Sequence, residues 1–486
     1  MTKTLRELRP TAVWNKFADL NAVPRPSKKE EKIIQFMLDF GKALHLETVK
    51  DRVGNVIIRK PASLGMEDRK MVTLQSHLDM VHQKNSDTRF DFETQGIEMV
   101  VDGDWVKAKG TTLGADNGLG VAAIMALLES SDIPHPPLEA LFTIDEETGM
   151  TGVMGLQSRI LKGEILLNLD TEEDDELDIG CAGGIDVTAT KMYLKEPAPA
   201  DWVALEIKVK GLNGGHSGID IHRGFGNANK IMNRLLYHAS ATHGIRIGEI
   251  LGGSLRNAIP RESRSRIVVS ASKQAQFSID FKKWAQTILE ELAVMEPDLS
   301  MALAPCEKVP MVMGSASQNQ LLCALYGAQN GVYAMSAAIP DLVETSNNVA
   351  KVEVKDGSIR ISCLTRSSVD SAKMDLANAL RCTFELGGFE VVLGGQYPGW
   401  NPNPNSPILK LLESKYEQLF LEKPKVVACH AGLECGILAK SYPEMDMISF
   451  GPTIKGAHSP DERVNIFSVQ KFWTFLLAVL KDIPKA

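Results

Sequence analysis

Two textures of apolar and polar positions divide this chain. In the first, short apolar runs end abruptly in charge. Met71-Val-Thr-Leu74 runs on to His77, Leu138 to Ile144 ends at Asp145-Glu146-Glu147, and Ile165 to Leu169 ends at Asp170. Runs this short, flanked by charges and turn formers, predict buried strands rather than helices. Between them lie segments of helical periodicity. Residues 11–47 read as two helices broken at Asn21 to Ser27 by Pro24 and Pro26, with Ser27 and Glu30 forming a capping box. A strand over Asn55 to Arg59 follows the turn at Gly54, a small hairpin is expected at Asp102-Gly103, and an apolar helix covers Val121 to Leu128. Strands alternating with helices predict a largely parallel sheet that delivers its strand ends to one edge.

After Gly180-Cys-Ala-Gly-Gly184 the texture changes. Trp202 to Lys210 places Val203, Leu205, Ile207 and Val209 on one face and Glu206, Lys208 and Lys210 on the other, the pattern of a half-exposed antiparallel strand. Two strands flank Arg256-Asn257-Ala258-Ile259-Pro260, between a helix near 227–238 and a long one near 277–294. A similar set follows: a helix from Gln318, a strand near Val332, a hairpin at Lys355-Asp356-Gly357, a helix over 370–384 and a strand at 391–393. From Tyr397-Pro-Gly-Trp400 the first texture resumes, with strands at 425–428 and 445–450 and a closing amphipathic helix over 466–480. The expected architecture is α/β: a mostly parallel sheet flanked by helices, built from 1–184 and 398–486. An α+β domain of two related halves is inserted at 185–397.

Composition narrows the function. The 486 residues are 44% hydrophobic and 23% charged, which suits a globular protein with ample core. A formal net charge of -8 argues against nucleic acid as a partner. No run of about 18 apolar residues predicts a membrane span, and MTKTLRELRP lacks the apolar core of a signal peptide. Seven scattered cysteines without a CxxC read as reduced thiols of a cytoplasmic protein.

The candidate chemistry stands at the strand ends. His77 is followed two residues later by Asp79, which is placed to hold the second ring nitrogen. Asp116 opens a helix from the glycine-rich Gly110-Thr-Thr-Leu-Gly-Ala-Asp-Asn-Gly-Leu-Gly120, which matches no nucleotide-binding loop; an ordinary helix cap is the competing reading. Glu146 and Glu147 close an extended run, so their side chains are expected to diverge, one to a metal and one to a water. The acidic stretch Thr171 to Asp178 reads as a solvated loop. His77, Asp116, Glu147, Asp170 and His458, two imidazoles and three carboxylates, suit two divalent ions such as zinc. One carboxylate must bridge them, and two ions about 3.5–4 Å apart can share a hydroxide and polarise a carbonyl.

The ordered series His77-x-Asp79, Gly114-Ala-Asp116-Asn-Gly, Asp145-Glu146-Glu147-Thr-Gly, Asp170, Gly214-Gly-His216-Ser and Gly456-Ala-His458-Ser-Pro resembles the co-catalytic zinc exopeptidases related to carboxypeptidase G, aminoacylase and carnosinase. GTTLGADNG, GCAGGID, GGHSG, LRNAIPRE, HAGLECG, SYPEMDM and GPTIKGAHSPDE extend the likeness along the chain, toward the bacterial members that cleave Xaa-His dipeptides. The resemblance implies that Asp116 bridges the two ions and that its bond to Asn117 is cis. His77 and Asp170 complete one ion, and Glu147 and His458 the other. Asp79 orients His77, and Glu146 is the general base that passes a proton to the leaving amine. The inserted domain becomes a lid through which a homodimer forms. His216 would donate to the oxyanion in the partner subunit's site. Asn257 would bind near the substrate backbone, Arg366 would pair with the free carboxylate, and Gly432 would line that end of the pocket. Cys429, His430 and Cys435 read as packing.

The expected activity is therefore a cytoplasmic, zinc-dependent dipeptidase in which cobalt or manganese can replace zinc. It would hydrolyse Xaa-His and other unblocked dipeptides, β-alanyl-histidine included. A deacylase of N-acyl amino acids in the same family is the first alternative. A non-catalytic metal-binding protein is the second, against which the spare carboxylate of Glu146 argues.

Overall fold

In the computed structural model, which describes residues 4–337 and 339–486, the strand Val72–His77 is buried along its whole length. Leu138–Thr143 and Ile165–Asn168 flank it, both parallel to it. Asp446–Ser449 continues the parallel run beyond Ile165–Asn168. The sheet is mixed rather than uniform. Glu47–Lys50 and Val56–Lys60 add antiparallel strands beside Leu138–Thr143, and Glu176–Cys181 meets Asp446–Ser449 antiparallel on the far side, with Lys425–Cys429 at that edge. Register sets the chemistry: His77 lies opposite Thr143 and Gln75 opposite Asn168. The residues just beyond these strands therefore emerge together at one sheet edge.

Ala115–Glu129 is buried almost all round, as its apolar sequence requires of a helix covered on every side. Pro407–Phe420 and Ile466–Lys481 pack through Tyr416 and Phe475, with ring centroids 5.4 Å apart. The hairpin expected at Asp102-Gly103 joins Met99–Asp102 to Trp105–Ala108. Among the described residues no helix is long and apolar enough to cross a membrane.

Chain contacts define two compact units. The first holds the chain through Gly180, Trp400–Ala428 and Leu433–Ala486; the second holds Cys181–Gly399 and Cys429–Gly432. These divisions fall a few residues from the expected 184/185 and 397/398, and the short return bearing Gly432 counts with the second unit. That unit is a nine-stranded sheet that runs through both of its halves. Its helices Ala228–His243, Gln274–Leu292, Ser315–Gly327 and Asp370–Leu386 supply one apolar core with the sheet. Trp202–Lys210 buries Leu205, Ile207 and Val209 as its alternation predicts.

Two local expectations fail. Ser27 does not cap the second helix, which begins at Glu31; its hydroxyl donates to the Met80 carbonyl instead, tying the break to the segment that follows Val72–His77. The acidic stretch after Asp170 is not simply solvated. It enters the sheet as Glu176–Cys181, where Asp178 is buried and accepts a hydrogen bond from the Thr171 hydroxyl at 2.7 Å. Burial pushes Asp178 up to about 7, and the charges of Glu176 and Asp170 add to the shift. Between the ordinary aspartate value of 3.8 and about 7, the unfolded chain loses this proton while the folded chain keeps it. Stability therefore falls as pH rises through that window and stays lowered above it. Asp178→Asn, which does not titrate, is expected to raise the melting temperature by several degrees at pH 8 and to change it little at pH 4, as calorimetry at the two values would read. An equal effect at both would remove the ionisation from this account.

Candidate metal and catalytic centre

The strand ends converge as their register dictates. His77 Nε2 stands 3.1 Å from Asp116 Oδ1 and 3.5 Å from Asp170 Oδ1. His458 Nε2 stands 3.1 Å from both Asp116 Oδ2 and Glu147 Oε2. His77, Asp116 and Asp170 thus form one three-residue group with ligand atoms within 4.8 Å, and Asp116, Glu147 and His458 form a second. Asp116 belongs to both and gives one carboxylate oxygen to each.

Asp79 is fully buried, with Oδ1 3.4 Å from His77 Nδ1. It also accepts the backbone N–H groups of Glu146 at 3.0 Å and Glu147 at 3.3 Å. The carboxylate that orients the imidazole therefore also orients the acidic pair. That pair does not diverge as an extended strand would make it. Glu146–Gly149 is a helical turn entered through Asp145 at φ 52°, so the separation of the two side chains comes from the turn.

The glycines of the Asp116 loop make room. The Asp116–Asn117 peptide is cis, and both residues have non-helical backbone angles. Asn117 Nδ2 donates to the Leu169 carbonyl at 2.8 Å and to Asp170, so it ties the Asp116 loop to the Asp170 segment rather than capping a helix. A Cβ on Gly114 or Gly118 would lie 2.5–2.6 Å from the Arg25 guanidinium, and Gly114 also has φ +69°.

The donor set fits divalent cations. Glu147 Oε1 is buried with no hydrogen-bond partner. Acids outnumber bases, and their charge bears on the two imidazoles. Burial opposes charge on His77, but Asp170, Asp116 and Asp79 outweigh it and hold the ring well above its usual range. Hydrogen bonds to Asp116 and Glu147 raise His458 to about 11. Burial raises Glu146 well above the carboxylate range; His77 opposes the shift, and Asp170, Glu147 and Glu434 add to it. Such a surplus of carboxylate in a buried site is what bound cations neutralise.

Four further acids and bases at this centre escape a sequence reading. Arg25, wholly buried between Pro24 and Pro26, donates to the carbonyls of Leu78, Asp79 and Gly114 and to Asn21 Oδ1. Glu462 accepts the backbone N–H groups of residues 113–116. Glu434 accepts from Gln75 Nε2 at 2.5 Å and Thr143 Oγ1 at 2.6 Å, and burial pushes it up to about 8. Burial likewise pushes Glu172 up to about 8, with Asp116 adding to the shift. Their only signal in sequence is a charge inside a turn-rich motif, which reads equally well as solvated.

The other four expected residues lie in the second unit. His216 Nδ1 accepts the N–H groups of Gly218 and Ile219 at 3.2 and 3.1 Å, which places a ring proton on Nε2. Arg366 is buried; it donates to the Tyr397 hydroxyl at 2.7 Å, and its Nε has no partner. A Cβ on Gly218 would meet the His430 carbonyl at 2.1 Å and Arg366 at 3.2 Å, so the His216 loop, Arg366 and His430 are neighbours within one chain. His430 is more than packing. Its ring bonds the Ser346 hydroxyl at 2.8 Å, and burial, with Arg366, His216 and His222 adding, drops it to about 3. Gly432 is two residues away, half-buried. Asn257 is exposed, and its carbonyl accepts from Ser217 at 2.8 Å. Arg264 and Arg266 lie in the strand Ser263–Ser270, where Arg264 is 3.5 Å from Glu249 and 3.7 Å from Glu206, and Arg266 3.8 Å from Glu206.

Comparison with known proteins places this geometry in context. The profile of peptidase family M20/M25/M40 matches residues 73–482. The cytosol non-specific dipeptidase of Escherichia coli (strain K12) is 43% identical over 480 residues, 99% of each chain. The crystal structure of aminoacylhistidine dipeptidase from Vibrio alginolyticus superposes with a TM-score of 0.90 at 42% identity, covering 100% of this chain and 99% of that one. Aminopeptidase PepT from Bacillus cereus, at 14% identity and a TM-score of 0.57 over 98% and 99% of the two chains, shares the fold.

Proposed function

From the premise that this chain belongs to peptidase family M20/M25/M40 and is a dipeptidase, we propose that it hydrolyses Xaa-His and other unblocked dipeptides at a pair of divalent cations. One cation would be held by His77, Asp170 and Asp116, the other by Glu147, His458 and Asp116. The observation that carries this reading is the division of one carboxylate: Asp116 gives Oδ1 to one group and Oδ2 to the other, while Glu146 is required by neither. Bound there, cations of the zinc class, with cobalt or manganese as substitutes, would supply Lewis acidity to the scissile carbonyl and to the attacking water.

The chain's own groups do the remaining work. Glu146 takes the proton of the attacking water and hands it to the leaving amine nitrogen. Its burial favours the protonated form that the second transfer needs, against cation charge that favours the ionised form. Asp79 holds the His77 ring and the Glu146 and Glu147 backbone in one geometry. His216 would reach the partner subunit's site in the dimer and offer its Nε2–H to the developing oxyanion there. Arg366, with its spare Nε donor, suits the planar C-terminal carboxylate of a dipeptide. Asn257 and Gly432 complete the proposed contacts to substrate. The protein would work in the cytoplasm as a homodimer through its second unit.

The test is hydrolysis of β-Ala-His and Gly-His beside an N-acetylated amino acid, by metal-stripped protein before and after zinc, manganese or cobalt is restored. The expected result is cleavage of the free dipeptides only, and only with metal. Preference for the acetylated compound would make the chain a deacylase.

A further inference from the structure

The Asp116 loop is gripped from two sides, by Glu462 and by Arg25. Four consecutive N–H groups converge on Glu462. Those of Leu113 and Gly114 meet Oε2 at 2.7 and 3.0 Å, and those of Ala115 and Asp116 meet Oε1 at 2.7 and 3.3 Å. Successive amides turned inward in this way form a concave anion site, and here a side chain of the same protein fills it. Glu462 is 2% exposed. It also lies four residues after His458, and the segment between is tightly wound: Ser459 N–H bonds the Gly456 carbonyl and Glu462 N–H bonds the Ser459 carbonyl. The backbone that carries Glu462 is thereby tied to the segment that carries His458.

Arg25 grips the same loop from its carbonyl side. One terminal nitrogen donates to the carbonyls of Leu78 and Asp79, both at 3.1 Å. The other donates to Gly114 O at 2.5 Å and Asn21 Oδ1 at 3.0 Å. Leu78 and Asp79 directly follow His77. The guanidinium therefore ties the loop of the shared carboxylate to the segment bearing the imidazole of the first group, as Glu462 ties it to the imidazole of the second. Burial pulls Arg25 down to about 10, which leaves it charged at neutral pH.

The geometry points to Glu462 and Arg25 as positioning residues that make the two cation sites fill as a pair. The loop that places Asp116 is held in register with His77 and with His458 at once, so any adjustment of the loop made when a cation enters one group is carried to the ligands of the other. Binding energy spent once on arranging the loop is not spent again, which is positive coupling between the sites. The inference rests on the two-cation reading above.

It is tested by titrating metal-stripped protein with Mn²⁺, following heat by calorimetry and the spin-coupled signal by electron paramagnetic resonance, beside apo-protein melting. Wild type is expected to take two equivalents in one step, with the coupled signal growing from the start. Glu462→Gln turns an N–H toward backbone N–H donors at one of its two ends. It is expected to split the titration, with the second equivalent weakened about 10–100-fold and the coupled signal appearing only late. Glu462→Asp and Arg25→Lys should split it less, and they carry the test if Glu462→Gln does not fold. Two equivalents in the wild-type single step for whichever of these variants are folded, with or without a lower melting temperature, overturn the proposal and leave a stabilising role alone. Fewer than two equivalents in wild type itself overturns the two-cation reading instead.

Discussion

Glu146→Gln is expected to lower kcat by about 10²–10⁴-fold while the protein keeps two equivalents of bound metal. Glutamine has the size of glutamate and leaves the backbone bond from residue 146 to Asp79 in place, but it cannot take a proton from water or return one to the leaving amine. Glu146 lies within reach of His77 and Glu147, yet neither three-residue group that shares Asp116 needs it. Its loss should therefore appear in turnover on Gly-His and not in metal analysis, with KM nearly constant. Unchanged turnover would remove Glu146 from the chemistry. Loss of metal in step with activity would make it a ligand.

Asp116→Asn should be as severe for a different reason. Asp116 alone belongs to both groups, with Oδ1 3.1 Å from His77 and Oδ2 3.1 Å from His458. An amide keeps one oxygen and turns an N–H toward the other imidazole, so one cation at most retains its full set. The expected result is a fall from two bound equivalents to one or fewer after dialysis, and activity down by at least about 10⁴-fold, since the carbonyl and the water lose their shared activation. Circular dichroism should stay close to wild type, because the loop backbone is held by Glu462 and Arg25 rather than by the Asp116 side chain. Two equivalents bound with wild-type affinity would refute the bridging role.

The strands and the residues at their ends were legible because each announces itself locally. An apolar run that stops at His77, Asp145 or Asp170 marks a strand and its carboxyl end in the same few residues, and Trp202 to Lys210 states its buried face by alternation alone. The supports were not legible, because their partners are remote. Glu462 meets the Leu113 amide from 349 positions away, and Gln75 meets Glu434 from 359. Arg25 and Glu462 look like ordinary loop charges until the chain closes around them. The Glu146–Glu147 pair departs from its expected geometry for a subtler reason: one residue at positive φ, Asp145, turns an extended run into a helical turn, and nothing in its side chain announces that. His430 gave the least warning, since a histidine between cysteines carries no periodicity to interpret.

The place of Asp446–Ser449 in the first sheet bears on how the protein is made. This strand lies between Ile165–Asn168 and Glu176–Cys181, so a ribosome that has released both neighbours must still add more than 250 residues before the gap is filled. At about 5–20 residues per second, roughly 13–50 s pass with one edge of Ile165–Asn168 unpaired, and for most of that time both edges of Glu176–Cys181 as well. His458 and Glu462 arrive later still. The nascent first unit is thus expected to carry an open sheet for about half of its synthesis, and a chain truncated before Asp446 would keep that sheet open while holding every strand of the second unit.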